Sequence, residues 1–295
     1  MGNNLCRRAH PVGIVEVMNH DDFDWAAMAD MLVDEAEAYS PYLHGAFDEL
    51  SDLKPERILD IGAGPGVAAG LLAQRFPDAE VVAVDGTPEL LARAEQRARD
   101  LGVRVQTRVA QFPQGLSGLP DADLVWSANV VHHVGDQLDA LTRMAGLLRP
   151  DGVLAIAEGG LSARWLPRDI GFGRPGLQVR LDAAMAERFD RMRAELPGAV
   201  AVTEDWPALL RAAGLVDAHS RSFLVDHPAP LAPGPRRSVR QWLERYRGMQ
   251  DDLDPDDRAT LDRLLDPTDP QGIDQRPDAF LLTARTVHYA RRPRA

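Results

Sequence analysis

A chain of 295 residues with 45 acidic and 33 basic side chains carries a net charge of −12, which opposes general binding to nucleic acid, where affinity comes from cations that neutralise phosphates. Hydrophobic residues make up 45% of the chain, and its 24 Gly and 22 Pro stay well below the roughly 25–30% that marks low-complexity disorder, so a folded core is expected. The only cysteine, Cys6, excludes an internal disulfide and a cysteine-based metal cage, and no run of about 18 apolar residues offers a membrane span.

Residues 1–20 lack periodicity and show no apolar signal segment, which sets the expectation of a loosely ordered tail and a cytoplasmic protein. From Phe23 to Leu50, apolar residues recur at helical spacing, and Ser40-Pro41 divides them into two helices. Short apolar runs then alternate with helical stretches: Arg57–Ile61, Glu80–Asp85, Arg104–Val109, Asp123–Ala128 and Val153–Glu158. This is the pattern of βαβ units on a parallel sheet. One intervening helix is fully punctuated, with Thr87 as N-cap, Pro88 at the first helical position and Gly102 as the stop; another is expected from Asp136 to Leu148.

After Glu158 the pattern loosens through Gly159–Leu181, which reads as a long loop covering the site. Helices are expected at 182–196 and 204–213, a strand at 216–225, a proline-rich bend at 228–235, helices at 239–249 and 255–265, and a last strand at 280–290. The expected architecture is α/β, a Rossmann-like, doubly wound, mostly parallel seven-stranded sheet. An N-terminal tail and lid helices (1–52) precede the core (53–158), and a C-terminal part (159–295) carries lid insertions at 159–200 and 227–278.

The chemistry-bearing segment is Leu59-Asp60-Ile61-Gly62-Ala63-Gly64-Pro65-Gly66, a buried strand running into a glycine-rich turn that opens a helix. Glycines there let backbone N–H groups approach a ligand at the positive end of the helix. A dinucleotide fingerprint would need glycine at position 67, where this chain has Val67. Asp60, two places before the first glycine, would repel a pyrophosphate but can receive an ammonium. Asp85, at the end of the second strand, can accept hydrogen bonds from a ribose diol. Together they point to a nucleoside with a cationic tail.

These residues resemble the glycine motif and acidic second strand of the class I S-adenosylmethionine-dependent methyltransferases, and the similarity continues in order through Asp123–His133 and Leu148–Leu154. The resemblance implies S-adenosylmethionine as cofactor, with Asp60, Gly62, Gly64 and Gly66 around its methionine portion, and Asp85 with Gly86 at the ribose. Gln111 stands where the family commonly has an Asp that contacts the adenine amino group, and its amide carbonyl can make the same contact. Phe112 would pack on the adenine or belong to the core, and Asn129 would face the cleft.

His132-His133 follows the fourth strand. The segment is locally similar to plant-type O-methyltransferases, in which a His at the position of His132 is the base, although His133-Val134 replaces Asp-Trp here. His132 and His133 are therefore the catalytic candidates, with a structural role as the alternative for each. Glu158 either orients an acceptor or caps the following loop. Trp25, Tyr39, Tyr42, Trp165, Phe172 and Trp242 either line a pocket or pack the core, and the arginines at 236, 237, 240, 245 and 247 read as a solvated face or an anion site.

Strand four is followed by Ser127-Ala128-Asn129-Val130, not by the Asn/Asp-Pro-Pro-aromatic motif of enzymes that methylate amino groups of nucleobases. No metal ligation is expected. The reading is methyl transfer from S-adenosylmethionine to O, N or C of a small, partly apolar metabolite, with no nucleic-acid or membrane partner and a homodimer left open. The alternatives are a non-methylating reaction on the same fold or a non-catalytic scaffold.

Overall fold

A computed structural model describes residues 25–294. The expected tail at 1–20, the start of the first helix at Phe23 and Cys6 lie outside the described residues.

The elements follow in the order α1 (Ala29–Tyr39), α2 (Pro41–Asp48), β1 (Arg57–Ile61), α3 (Val67–Arg75), β2 (Glu80–Asp85), α4 (Pro88–Leu101), β3 (Gln106–Val109), β4 (Ala122–Ala128), α5 (Gln137–Gly146), β5 (Leu148–Arg164), α6 (Leu177–Glu195), α7 (Trp206–Ala212), β6 (Val216–His227), α8 (Pro233–Arg247), α9 (Pro255–Leu265) and β7 (Leu281–Arg291). They build one seven-stranded sheet in the order β3-β2-β1-β4-β5-β7-β6. The pairs β1–β2, β1–β4, β2–β3 and β4–β5 are parallel, and β7 runs antiparallel to both β5 and β6. The strand order reverses between β1 and β4, and ligands of open α/β sheets bind outside the carboxyl ends of the strands at such a switch point.

Burial follows the period-2 alternation of the strands. On one face Ile58, Leu124, Trp126, Ala155, Val287 and Tyr289 meet α2, α3 and α8; on the other Leu59, Val125, Leu154 and Ile156 meet α5 and α7. Each fully buried large side chain contributes about 1.5–3 kcal/mol. Helix α2 is locked to the first face by the edge-to-face pair Phe47–Trp126 at 4.9 Å and by the Tyr289 hydroxyl, which donates to the Ala46 carbonyl at 3.0 Å.

Several boundaries depart from the expected ones for physical reasons. The loop expected from Gly159 onward begins instead as strand, because β5 continues to Arg164 against β7 after a register shift between Ala157 and Gly160. Gly160, at φ 123°, makes the shift feasible: a Cβ there would sit 2.1 Å from the Ala284 carbonyl oxygen. Helix α6 starts five residues before the expected Asp182, pinned by buried Gln178, which donates to the Ala163 carbonyl and accepts from the Trp165 N–H at 3.0 Å. Helix α8 starts inside the expected proline bend because Pro233 occupies its first turn, where no N–H is needed. The Thr87–Gly102 helix has the expected bounds, with Gly102 at φ 68° closing it.

Candidate active site

The glycine turn between β1 and α3 puts Gly62, Gly64 and Gly66 at φ 71°, 51° and 77°, a region closed to most side chains. The three differ in what surrounds them. A Cβ on Gly62 would lie 2.2 Å from Cγ2 of Val130, and one on Gly66 2.5 Å from Cβ of Ala94, whereas Gly64 faces no atom within 4 Å. Gly62 and Gly66 therefore exist for packing, and Gly64 presents backbone to open space. Gly62→Ala is expected to cost about 3 kcal/mol from strain plus overlap, read as a melting temperature lower by several degrees. Gly64→Ala costs only the strain, about 1 kcal/mol, so its melting temperature should stay closer to the parent's.

Asp60 is 2% exposed and its Oδ2 has no hydrogen-bond partner. Burial first, then the charge of Asp85, push its carboxyl up to about 7, against the pull of the Ala69 N–H. A buried carboxylate oxygen without a donor is costly unless a cation meets it. Asp85 lies opposite: its Oδ2 accepts the Gly64 N–H and its Oδ1 the Thr87 N–H, both at 2.9 Å. Asp85 thus ties the glycine turn to the start of α4 and keeps lone pairs on both oxygens for further donors.

Beside it, the exposed Gln111 folds back on Gly86, donating to its carbonyl at 3.3 Å; a Cβ on Gly86 would sit 2.6 Å from the Gln111 Oε1. Phe112 is half-buried and packs against the core cluster that contains Leu59 and Val84. Asn129, just past β4, adopts φ 56°, donates its N–H to Ala157 at 3.0 Å and leaves its side chain exposed.

The two histidines occupy a short 3-10 turn, Val131–His133. Glu158, 3% exposed at the point where β5 leaves the parallel sheet, organises this turn. Its Oε1 accepts the N–H groups of Val130 and Val131 at 2.9 and 2.8 Å, and its Oε2 meets Nδ1 of His132 at 2.8 Å. Of the two roles expected for Glu158, neither describes this one: it caps the turn after β4 and orients a histidine. Arg193 of α6 donates to the carbonyls of His132 and Val134, closing the turn from the other side. The His133 ring packs tilted, at 46°, against His132 with ring centres 4.1 Å apart and meets Trp25 edge-on at 5.5 Å. Val130 joins the two halves of the site, since its methyl group packs on Gly62 and its N–H binds Glu158.

Tyr42 on α2 is buried close enough to feel the charges of Asp60, Glu158 and Arg285, and burial raises its hydroxyl pKa. Most of the arginine run on α8 is structural. Arg236 donates to the carbonyls of Ile273, Arg276 and Leu231, Arg237 pairs with Asp34, and Arg240 pairs with Asp274. Among the described residues, no group of three or more His, Cys, Asp or Glu side chains is placed to hold a metal ion, and no helix is long and apolar enough to cross a membrane.

Comparison with known proteins places this geometry. The family described as "Methyltransferase domain" matches residues 58–152, from β1 into β5. A trans-aconitate 2-methyltransferase of Mycobacterium sp. (strain KMS) is 33% identical over 209 residues, covering 65% of this chain and 76% of that protein. The chain belongs to the class I S-adenosylmethionine-dependent methyltransferases. A second methyltransferase of the same name, from Methylobacterium radiotolerans, is 33% identical over 141 residues, and the match spans about half of its length, 52%, and 47% of this chain. In fold, the chain is similar to a candidate O-methyltransferase of Nostoc punctiforme PCC 73102, with a TM-score of 0.50 at 20% identity, covering 91% of this chain and 60% of that one. S-adenosylmethionine is the cofactor of this methyltransferase family, and the donor-poor Asp60 beside the open backbone of Gly64 fits its ammonium-bearing end.

Proposed function

We propose that this chain transfers the methyl group of S-adenosylmethionine to a small-molecule acceptor. The observation that carries the reading is the unpartnered buried oxygen of Asp60, set beside a glycine turn with open backbone and across from a second carboxylate. An ammonium group satisfies Asp60, and the backbone of Gly62, Gly64 and Gly66 holds the rest of the methionine portion. Asp85 and Gly86 take the ribose hydroxyls, Gln111 the adenine amino group and Phe112 the adenine face, while Asn129 walls the cleft. When bound, the cofactor supplies an electrophilic methyl on a sulfonium.

The acceptor lies under the helices added to the sheet, α1, α2, α6 and α8, where closing the cleft excludes water and aligns the displacement. His132 acts as base for an acceptor that must lose a proton. A neutral ring that donates Nδ1–H to Glu158 carries its lone pair on Nε2, the tautomer a base requires. His133 buttresses that ring through the tilted contact at 4.1 Å. The relatives are named for trans-aconitate; for this chain the reading is a small-molecule acceptor without a named identity.

The test incubates the purified chain with S-adenosylmethionine and a panel of small metabolites, following S-adenosylhomocysteine and products heavier by one CH2. Both should appear in equal amounts. An altered metabolite without S-adenosylhomocysteine would replace methyl transfer by a non-methylating reaction.

A further inference from the structure

Glu158 connects the His132–His133 turn to a third histidine, and this one is buried. His288, on β7, is 6% exposed, and its ring centre lies 6.0 Å from that of Trp206 on α7. Its Nε2 is 3.1 Å from the Glu158 carbonyl oxygen, and its Nδ1 is 2.7 Å from the Ser220 hydroxyl of β6. A carbonyl oxygen only accepts, so the proton sits on Nε2 and the ring donates to Glu158; in the neutral ring Nδ1 then accepts from Ser220. Burial, the largest influence, holds the ring below its ordinary pKa of 6.5 against the pull of Glu158 and Asp205, which favours that neutral form.

The contact falls at the point where β5 loses its regular partners. Pairing with β7 runs Ile156↔His288 and Ala157↔Val287, then jumps to Gly160↔Arg285, so Glu158 and Gly159 fall inside the register shift. The ladder is disrupted at such a bulge. The two residues that follow, Gly159 and Gly160, sit at φ 71° and 123°, and a Cβ on Gly159 would meet no atom within 4 Å. Two glycines, one of them facing open space, leave the peptide after Glu158 little of its own to hold it. The His288 N–H supplies the missing anchor.

The carboxylate on the same residue makes the three contacts that organise the turn, to the N–H groups of Val130 and Val131 and to Nδ1 of His132. Side chain and peptide leave one Cα, so slack in the peptide becomes slack in the carboxylate. We infer that His288 is a positioning residue for methyl transfer: by anchoring the Glu158 peptide from the last strand, it keeps the Glu158 carboxylate aimed at His132. The inference rests on the reading of His132 as base for its effect on turnover, and on the hydrogen bonds alone for its effect on Glu158.

The test compares His288→Leu, which removes the donor, with His288→Gln, whose amide nitrogen can take the place of Nε2. Amide exchange at Val130 and Val131, followed by NMR of 15N-labelled protein, reports the Glu158 carboxylate without any acceptor. Exchange should be at least about tenfold faster in His288→Leu and close to the parent in His288→Gln. Affinity for S-adenosylhomocysteine should be unchanged in both, which shows that both are folded. With an acceptor found in the metabolite panel, His288→Leu should lower kcat by about 10–100-fold with KM for S-adenosylmethionine unchanged, and His288→Gln should restore most of it. Val130 and Val131 amides that are unmoved in His288→Leu, or disturbed equally in both variants, would overturn the positioning role. Amides disturbed in His288→Leu alone, with turnover at the parent's level, would keep the grip on Glu158 and overturn His132 as the base.

Discussion

Asp60→Asn is expected to raise the stability of the cofactor-free protein and to weaken S-adenosylhomocysteine binding by about 100-fold, the worth of one buried charge-assisted hydrogen bond. The two effects share one cause. In the folded chain the Asp60 carboxyl titrates near 7 because it is buried beside Asp85, against the ordinary 3.8. The folded state therefore holds the proton more tightly than the unfolded chain. Stability contributed by the neutral carboxyl is present at acid pH and is lost as pH rises through about 7. Asparagine has no charge to bury, so its advantage over the parent should open between about pH 4 and pH 7 and persist above. Thermal melts of both proteins across that range check the sign. A variant that melts below the parent at alkaline pH, or binds the cofactor product equally well, would remove Asp60 from the site. Stability sacrificed where a ligand repairs it is the usual signature of a binding position.

Glu158→Gln is expected to lower turnover by about 10²–10⁴-fold at neutral pH, close to the loss in His132→Ala. Glutamine can still accept the N–H groups of Val130 and Val131 through its carbonyl, so the turn after β4 survives. Its amide nitrogen then faces Nδ1 of His132 and donates where the carboxylate accepted. That forces the proton of the ring onto Nε2 and removes the lone pair a base needs. Because the two residues act as one unit, the double variant should be no slower than the worse single variant. Affinity for S-adenosylhomocysteine should be unchanged in all three. Multiplying losses in the double variant, or full turnover in Glu158→Gln, would make the histidine turn structural.

The parts of this site legible in the sequence are those built from consecutive residues. The strand, the glycine turn and the helix N-terminus at 57–67 are one local unit, and Asp60 and Asp85 are set by the ends of strands whose apolar runs are plain. The pairing of Glu158 with His132 spans 26 residues and depends on which strand ends adjoin, which no local pattern encodes. Asp85 is legible as the carboxylate that ends the second strand, but its grip on the Gly64 and Thr87 N–H groups required the fold.

In the C-terminal third, Gly159-Gly160 reads as a loop signal and acts as a bulge that lets β5 continue against β7. The prolines at 233 and 235 read as a bend and open a helix. Arg285 gave no signal at all, being one charged residue between buried Ala284 and half-buried Thr286 in the last strand. Its place opposite Tyr39 and Glu35 comes only from the packing of α1 over the sheet.

The central claim is that Asp60 waits, half-protonated near neutrality, for the ammonium group of the cofactor. Calorimetric titration with S-adenosylhomocysteine across pH tests it most directly. An ammonium binds the ionised carboxylate, so each unit of pH below about 7 should weaken binding by up to tenfold, with one proton released per molecule bound, and binding should level off above. Affinity that is flat from about pH 5.5 to pH 8.5, or an absence of binding at any pH, would contradict the account.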